Sequence, residues 1–470
     1  MQQLRYQIKN LAPIILSARS GDTNMVGTLQ YIPGTSVLGM IAARFLNQKN
    51  ITSEAASSSN EFHHFFLAGD ICFGNAFAVF KDEKGKEYVH FPTPHSIQKE
   101  KRGEQIYDLL LMNEEPEEQT KAIRCFCHLD DENIAFTEVE TGLNFHHARD
   151  RETGISKDAI IFNYESIAEG QTFQGVIKGS AEALQNLAAV CGSTWTGYIG
   201  RSKNAQYGKI SFEFIDKNPQ PVSDKVTSDT EISLTLLSDT ILYNENGFST
   251  TDPCVLEKYL GVKISKFFIR QEDAETFVSV WRMKKPSETC FQAGSCFLLE
   301  VSDEADLTRL AELQKTGVGE RTHEGFGQCI LGWQTEDELT ETILKKPEIQ
   351  KPTAQMPQTA KNILKTLIQN AVRKQVALDA MSDMGQFKKK LPSPSLIGRL
   401  NAMSAQLDRE KFVESLGKLR RSAADKLKDC RNNEKNLMDF LTDKTVSAKE
   451  MFQKSKFPNV LELCGEIGYK

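Results

Sequence analysis

The amino-acid sequence predicts an α+β protein: two ferredoxin-like domains with insertions, followed by a C-terminal helical bundle. Three observations carry this expectation. The order strand, helix, glycine loop, strand occurs twice, about 120 residues apart, which points to an internal duplication. Each copy fits a β-α-β-β-α-β unit. Beyond the second copy, apolar residues recur at helical spacing in a basic stretch. The domains are expected at 1–218, 229–335 and 357–470.

Leu4, Tyr6 and Ile8 alternate, and apolar residues continue to Leu16, so 4–16 reads as a strand. A polar loop containing Asp22 follows. After Pro33-Gly34, Thr35 or Ser36 is placed to cap a helix bearing Val37, Ile41 and Phe45. Residues 50–61 read as a mobile Ser/Ala-rich insertion, and His63-His64 beside it as surface. Strand pieces are expected near 70–80, 88–98 and 134–139, with an irregular charged stretch over 99–120. An arm at 145–154 precedes strands near 158–167 and 172–178. A helix near 180–191, the first glycine loop and a strand over 210–215 complete the first copy. Residues 216–230 read as a linker. The second copy has strands at Ile232–Leu236 and 293–301, a helix through Leu307, Leu310 and Leu313, its glycine loop, and a strand ending at Trp333. Residues 335–356 read as another linker. Leu396–Met403 and 412–427 read as amphipathic helices of a four- or five-helix bundle.

At 470 residues the chain is long enough for two to four domains. Its 40% hydrophobic and 26% charged residues are those of a globular protein. No apolar run approaches a membrane span, and the N-terminal stretch lacks a signal core. The ten Cys are scattered without a C-x-x-C, which predicts reduced thiols in a cytosol and no metal or other cofactor. The net charge of −6 hides an asymmetry: residues 351–470 hold 23 Lys and Arg against 13 Asp and Glu. A basic third on an acidic body points to a local polyanion surface, or to a solvated helical face.

The glycine loops are the sharpest chemical signal. The first is Gly197-Tyr198-Ile199-Gly200-Arg201, continuing through Ser202, Lys203 and Tyr207 to Gly208. The second is Gly317-Val318-Gly319-Glu320-Arg321, continuing through His323, Gly325 and Phe326 to Gly327. Glycine permits close backbone approach, successive amides make an anion-binding concavity, and arginine adds a phosphate fork. The expected ligand is an RNA or DNA backbone, with Arg201 and Arg321 as equivalent arms. Neither loop is a P-loop or a dinucleotide fingerprint. In the 145–154 arm, Arg149 and Arg151 suit phosphates and His147 suits base stacking, as do Tyr207 and Phe326. Asp22 is a weak candidate for holding Mg²⁺ in RNA cleavage, set against a plain polar turn. No Gly-Gly-Asp-Asp or His-Asp dipeptide occurs.

Tyr31-Ile32-Pro33-Gly34-Thr35-Ser36-Val37-Leu38-Gly39 resembles the start of the first helix in CRISPR-associated RAMP proteins. Gly319-Glu320-Arg321 through Gly327 resembles their glycine-rich loop, and Arg151–Gly154 with Phe162–Glu165 their central hairpin. Ile199–Gly208 looks like the Csx-ten family, the two-domain RAMP subunit of type III-D effector complexes. The resemblance spans about residues 1–335. It implies RRM-type ferredoxin-like domains and a non-catalytic, antiviral subunit in a prokaryotic cytoplasm. Its partners would be the crRNA 5′ handle, a large cyclase/polymerase-like subunit, RAMP backbone subunits and, indirectly, target RNA. It carries crRNA contact over to Gly200, Arg201, Ser202, Lys203, Gly319, Arg321, Gly325 and Gly327, with Ser36 and Arg44 on the first helix. The loop around Asp22 lacks the Ile-Asp-Asn-Pro context of slicing subunits, and no His precedes His63, where processing enzymes often place one. An endoribonuclease using Asp22 with Mg²⁺ and a scaffold without RNA contacts are the alternatives.

Overall fold

The computed structural model describes residues 1–17, 25–149, 156–203, 205–222, 230–278, 283–344, 358–385, 387, 390–432 and 435–444. It is a mixed α+β chain that divides into two units, Met1–Glu348 and Ile349–Lys470.

The larger unit begins with β1 (Gln2–Asn10), whose alternating Leu4, Tyr6 and Ile8 are fully buried. The expected strand to residue 16 stops short. After Asn10 the chain leaves the sheet, and Ile14 instead bridges Ile167. α1 (Gly34–Lys49) starts one residue before the expected caps, with Pro33 as N-cap and no side-chain cap. Ser36 thus lies in the first turn. The expected mobile stretch at 50–61 leads into a short helix, Asn60–Phe66, because Phe65 and Phe66 pack edge-on against Phe45 of α1. His63 and His64 are exposed, as expected.

β2 (Phe77–Lys81) is followed by a large insertion. It holds β3 (Ile97–Glu100), β4 (Ile106–Asp108), β5 (Phe126–Asp130) and β6 (Asn133–Thr137) in a sheet of its own. Next come the hairpin strands β7 (Thr141–Arg149) and β8 (Ser156–Ile167). β9 (Thr172–Gly179), α2 (Ala181–Cys191), β10 (Thr194–Tyr198) and β11 (Lys209–Phe214) close the first half. β1 sits between β9, with Leu4 opposite Ile177, and β11, with Ile8 opposite Phe212. β9 in turn pairs β2, with Phe173 opposite Ala78. Among strands β1, β2, β9 and β11 the spatial order is fourth, first, third, second, all antiparallel. β10 is an addition on the outer edge of β11, so the first glycine loop joins two strands rather than a helix and a strand.

The second half repeats this connectivity with β12 (Glu231–Leu236), α3 (Pro253–Leu260) and β13 (Lys263–Phe268), then the inserted hairpin β14 (Gln271–Ala274) and β15 (Glu288–Phe291). β16 (Cys296–Glu300), α4 (Glu304–Thr316) and β17 (Cys329–Leu331) complete it. The order β13-β16-β12-β17 is again second, third, first, fourth. Each sheet has its own apolar core, Tyr6, Phe45, Phe173 and Phe212 in one, Leu234, Leu256, Phe297 and Leu310 in the other. Burying each of these side chains contributes about 1.5–3 kcal/mol.

The expected linker at 335–356 contains β18 (Glu338–Glu341). It enters the insertion sheet between β6 and β4, parallel to the first and antiparallel to the second. Leu339 drives this, because it is buried with Ile97, Ile106, Leu129 and Ile134.

The second unit is helical: α5 (Gln358–Met384), α6 (Pro394–Gln406), α7 (Arg409–Gly417), α8 (Arg421–Asp429) and α9 (Leu437–Lys444). The single helix expected over 412–427 is broken after Gly417, a residue of low helix propensity.

Candidate nucleic-acid interface

The two glycine loops share one hydrogen-bonded frame. In the first, Ile199 N–H donates to Gly208 O, Arg201 N–H to Ile15 O, and Gly208 N–H to Pro13 O. In the second, Val318 N–H donates to Gly327 O, Glu320 N–H to Ile241 O, and Gly327 N–H to Asp239 O. The hairpins below match as well: Ile14 bridges Ile167 as Thr240 bridges Phe291. Gly208 and Gly327 must be glycine. Both have positive φ, and a Cβ would meet the carbonyl oxygen of Ile199 or Val318 at 2.1 or 2.0 Å.

This frame corrects two expectations. The amides of Arg201, Gly208, Glu320 and Gly327 face the chain's own carbonyls, so they do not line an anion cradle. The loops also align one residue away from the expected pairing. Arg201 corresponds to Glu320. Ser202 corresponds to Arg321, both left-handed at φ 56°. Lys203 corresponds to Thr322, and Tyr207 to Phe326. The same backbone therefore carries opposite chemistry in its two copies.

In the first loop Arg201, Ser202 and Lys203 are exposed. Among the described residues neither cation has an ion-pair partner. The Arg201 guanidinium lies 5.3 Å from the centroid of the Tyr164 ring on β8. Such a stack orients the planar fork and leaves its N–H edges for an acceptor. Tyr207 lies beneath, 2% exposed, with its hydroxyl 2.7 Å from His146 Nε2 on β7. Burial by the hairpin removes Tyr207 from base stacking. Tyr164, from the stretch that resembles the RAMP central hairpin, and His146, from the 145–154 arm, build the floor of this loop. Phe145 on the same strand is 71% exposed.

In the second loop Arg321 is spent internally. Its Nη1 donates to Glu288 at 2.8 Å, its Nε and Nη2 to Glu324 at 3.1 and 2.6 Å, and Nη2 to Thr276 at 2.8 Å. Its guanidinium lies 4.5 Å from the centroid of the half-buried Phe326. Burial pushes the Glu324 carboxyl up, but hydrogen bonds from Lys285 and Arg321 outweigh it and hold it below the usual range. His323 is half-buried, and desolvation lowers its imidazole. Gly325 packs on the start of α1. A Cβ on Gly34 would sit 2.1 Å from Phe73 O and 2.5 Å from Glu324 O. Asn75 Oδ1 accepts from Gly34 N–H, and Gln328 Oε1 accepts from Asn75 N–H. The second loop is thus a packing wedge between the two sheets' helical ends.

Arg44 also serves packing: its Nε donates to Cys191 O at the end of α2, and its guanidinium lies 5.5 Å from the centroid of the Trp195 ring. Ser36 is half-buried, its amide donating to Pro33 O. His147 and Arg149 lie on β7 opposite β8. Asp22 and Arg151 lie outside the described residues. Among the described residues no three His, Cys, Asp or Glu side chains gather at metal-ligating spacing. No helix there is long and apolar enough to cross a membrane.

No family model matches the chain, and no curated protein does. Among solved structures, a chain of "Cryo-EM structure of the Type III-B Cmr-beta bound to cognate target RNA and AMPPnP, state 1" is 14% identical, with a TM-score of 0.39, covering 67% of this chain and 94% of that one. A chain of "Type III-B Cmr-beta Cryo-EM structure of the Apo state" is 10% identical, with a TM-score of 0.28, covering 46% and 98%. A chain of "An RAMP protein binding different RNA substrates" is 12% identical, with a TM-score of 0.26, covering 70% and 99%. These scores lie below those of chains that share a whole fold.

Proposed function

We propose that the chain is a non-catalytic RNA-binding subunit of a CRISPR effector ribonucleoprotein, built from two ferredoxin-like RAMP domains. In the finer form of this reading it is a type III-D-like subunit of the Csx-ten kind. It holds the 5′ handle of a crRNA and abuts a large cyclase/polymerase-like subunit and the first backbone subunit. The supporting observation is the first glycine loop, where two exposed cations without ion-pair partners among the described residues sit on a hairpin floor, one of them oriented by Tyr164. The doubled β-α-β-β-α-β connectivity agrees with it.

In this reading Arg201 and Lys203 bind backbone phosphates, Arg201 as a fork and Lys203 as a point charge. The second loop fixes the angle between the two domains. The test is to tag this chain, express it with its genomic neighbours, and sequence the RNA that co-purifies. Discrete short RNAs sharing one 5′ end are expected, and Arg201→Ala with Lys203→Ala should lower their recovery. A nucleic-acid-free protein, or recovery unchanged by the double substitution at moderate salt, sinks the loop as the RNA-binding element.

A further inference from the structure

A second group of basic side chains, none of them in a glycine loop, gathers where the insertion sheet meets the second half of the unit. Three chain segments converge there through their backbones. Thr93 N–H and Oγ1 both donate to Cys125 O, at 3.2 and 2.8 Å, which ties 93–95 to the residue after Arg124. His95 N–H donates to Gly294 O at 2.8 Å. Gln292 N–H donates to Arg270 O at 2.8 Å, and Arg270 N–H to Ser295 Oγ at 3.3 Å. The approach is close enough that a Cβ on Gly294 would lie 2.9 Å from His95 Cε1. His95, Arg124 and Arg270 are thereby held around one seam.

Neither arginine has a counter-charge: among the described residues no carboxylate pairs with Arg124 or Arg270. Arg270 is half-buried, and its guanidinium is lowered first by burial and then by the charge of Arg124. His95 Nε2 is buried and has no hydrogen-bond partner. Burial first, then Arg270 and Arg124, push the His95 imidazole down to about 4. Arg124 is exposed, whereas Arg270 is half-buried in its field beside an unpartnered imidazole nitrogen, an arrangement that costs free energy unless an anion offsets it.

We propose that His95, Arg124 and Arg270 form a phosphate-binding site at this seam, separate from the first glycine loop. Two forked guanidiniums match the oxygens of a phosphate group better than the single edge of a carboxylate. The phosphate is either free or part of a nucleic-acid backbone, and this assignment stands whether or not the first loop binds RNA.

The test uses the full chain labelled with ¹⁵N-histidine, with the His95 imidazole signal assigned through His95→Gln. Inorganic phosphate is titrated at constant ionic strength against chloride, and a short single-stranded RNA without a terminal phosphate is titrated in parallel. Saturable movement of the His95 signal, with affinity at least tenfold weaker in Arg124→Gln/Arg270→Gln, is expected. Response to phosphate alone identifies a free phosphate, and response to the RNA identifies a backbone phosphate. If the glutamine variant does not fold, Arg124→Lys/Arg270→Lys keeps the charge and removes the forks, and the same weakening is expected. A His95 signal that neither probe moves, or equal responses in wild type and a folded variant, overturns the site.

Discussion

Arg201 and Arg321 look interchangeable in the sequence and are not so in the fold. Arg201 stands over Tyr164 at the surface, whereas Arg321 satisfies Glu288 and Glu324 in a half-buried network. Substitution therefore separates binding from stability. Arg201→Ala/Lys203→Ala should leave the unfolding temperature unchanged and reduce the slope of log affinity against log salt by about 0.7 for each phosphate no longer neutralised. A filter-binding salt series reads it. Arg321→Ala should instead destabilise by about 3–5 kcal/mol, because two mostly buried carboxylates lose a shared counter-charge. Chemical denaturation checks this, and an unchanged midpoint would show that Lys285 alone suffices for Glu324. The sequence announced the arginines but not their partners, since Glu288 lies 33 residues from Arg321 in the chain.

At the scale of elements, the repeated loop is legible from glycine spacing, and its purpose is not. Gly200 to Gly208 and Gly319 to Gly327 are equally long, and both loops lie against the segment that follows the first strand of their sheet. Carbonyls make that junction, and they leave no mark in side-chain identity. Gly327→Ala, at positive φ with Val318 O only 2.0 Å from the new Cβ, should cost at least about 2 kcal/mol. Gly39→Ala is the counterpart. It lies inside α1 with nothing within 4 Å, and should gain about 0.5–1 kcal/mol from helix propensity. Melting curves of the two variants should move in opposite directions. A gain for Gly327→Ala would mean that this loop relaxes freely.

For the molecule as a whole, the first unit is tied together by a strand from its far end. β18 lies in the insertion sheet, and nearby Gln334 donates to Ser96 and Asp108 while accepting from Thr235. The same region buries histidine. Burial holds His90, fully enclosed, down at about 4. A histidine whose folded pKa lies below its unfolded value stabilises the neutral native state above about pH 6.5. That contribution, about 3 kcal/mol at most, is lost as pH falls from 6.5 towards 4. Urea denaturation across this window should show the loss, and His90→Gln should make it shallower, the remainder coming from His95, which burial also pushes down to about 4. A fall as steep as in the wild type would show that His90 contributes nothing to it.

The α+β class, the doubled order of strands and helices, the helical C-terminal region and the surface position of His63 and His64 are all readable from the amino acids alone. These follow from local periodicity, turn residues and spacing, which each segment carries by itself. Which glycine loop keeps free cations and which becomes a wedge is settled by long-range packing. The same packing turns an apparent linker into β18, buries Tyr207 under a hairpin, and gathers His95, Arg124 and Arg270 at one seam. Those outcomes depend on partners distant in the chain, and an isolated residue type does not encode the charge or carbonyl that folding brings beside it.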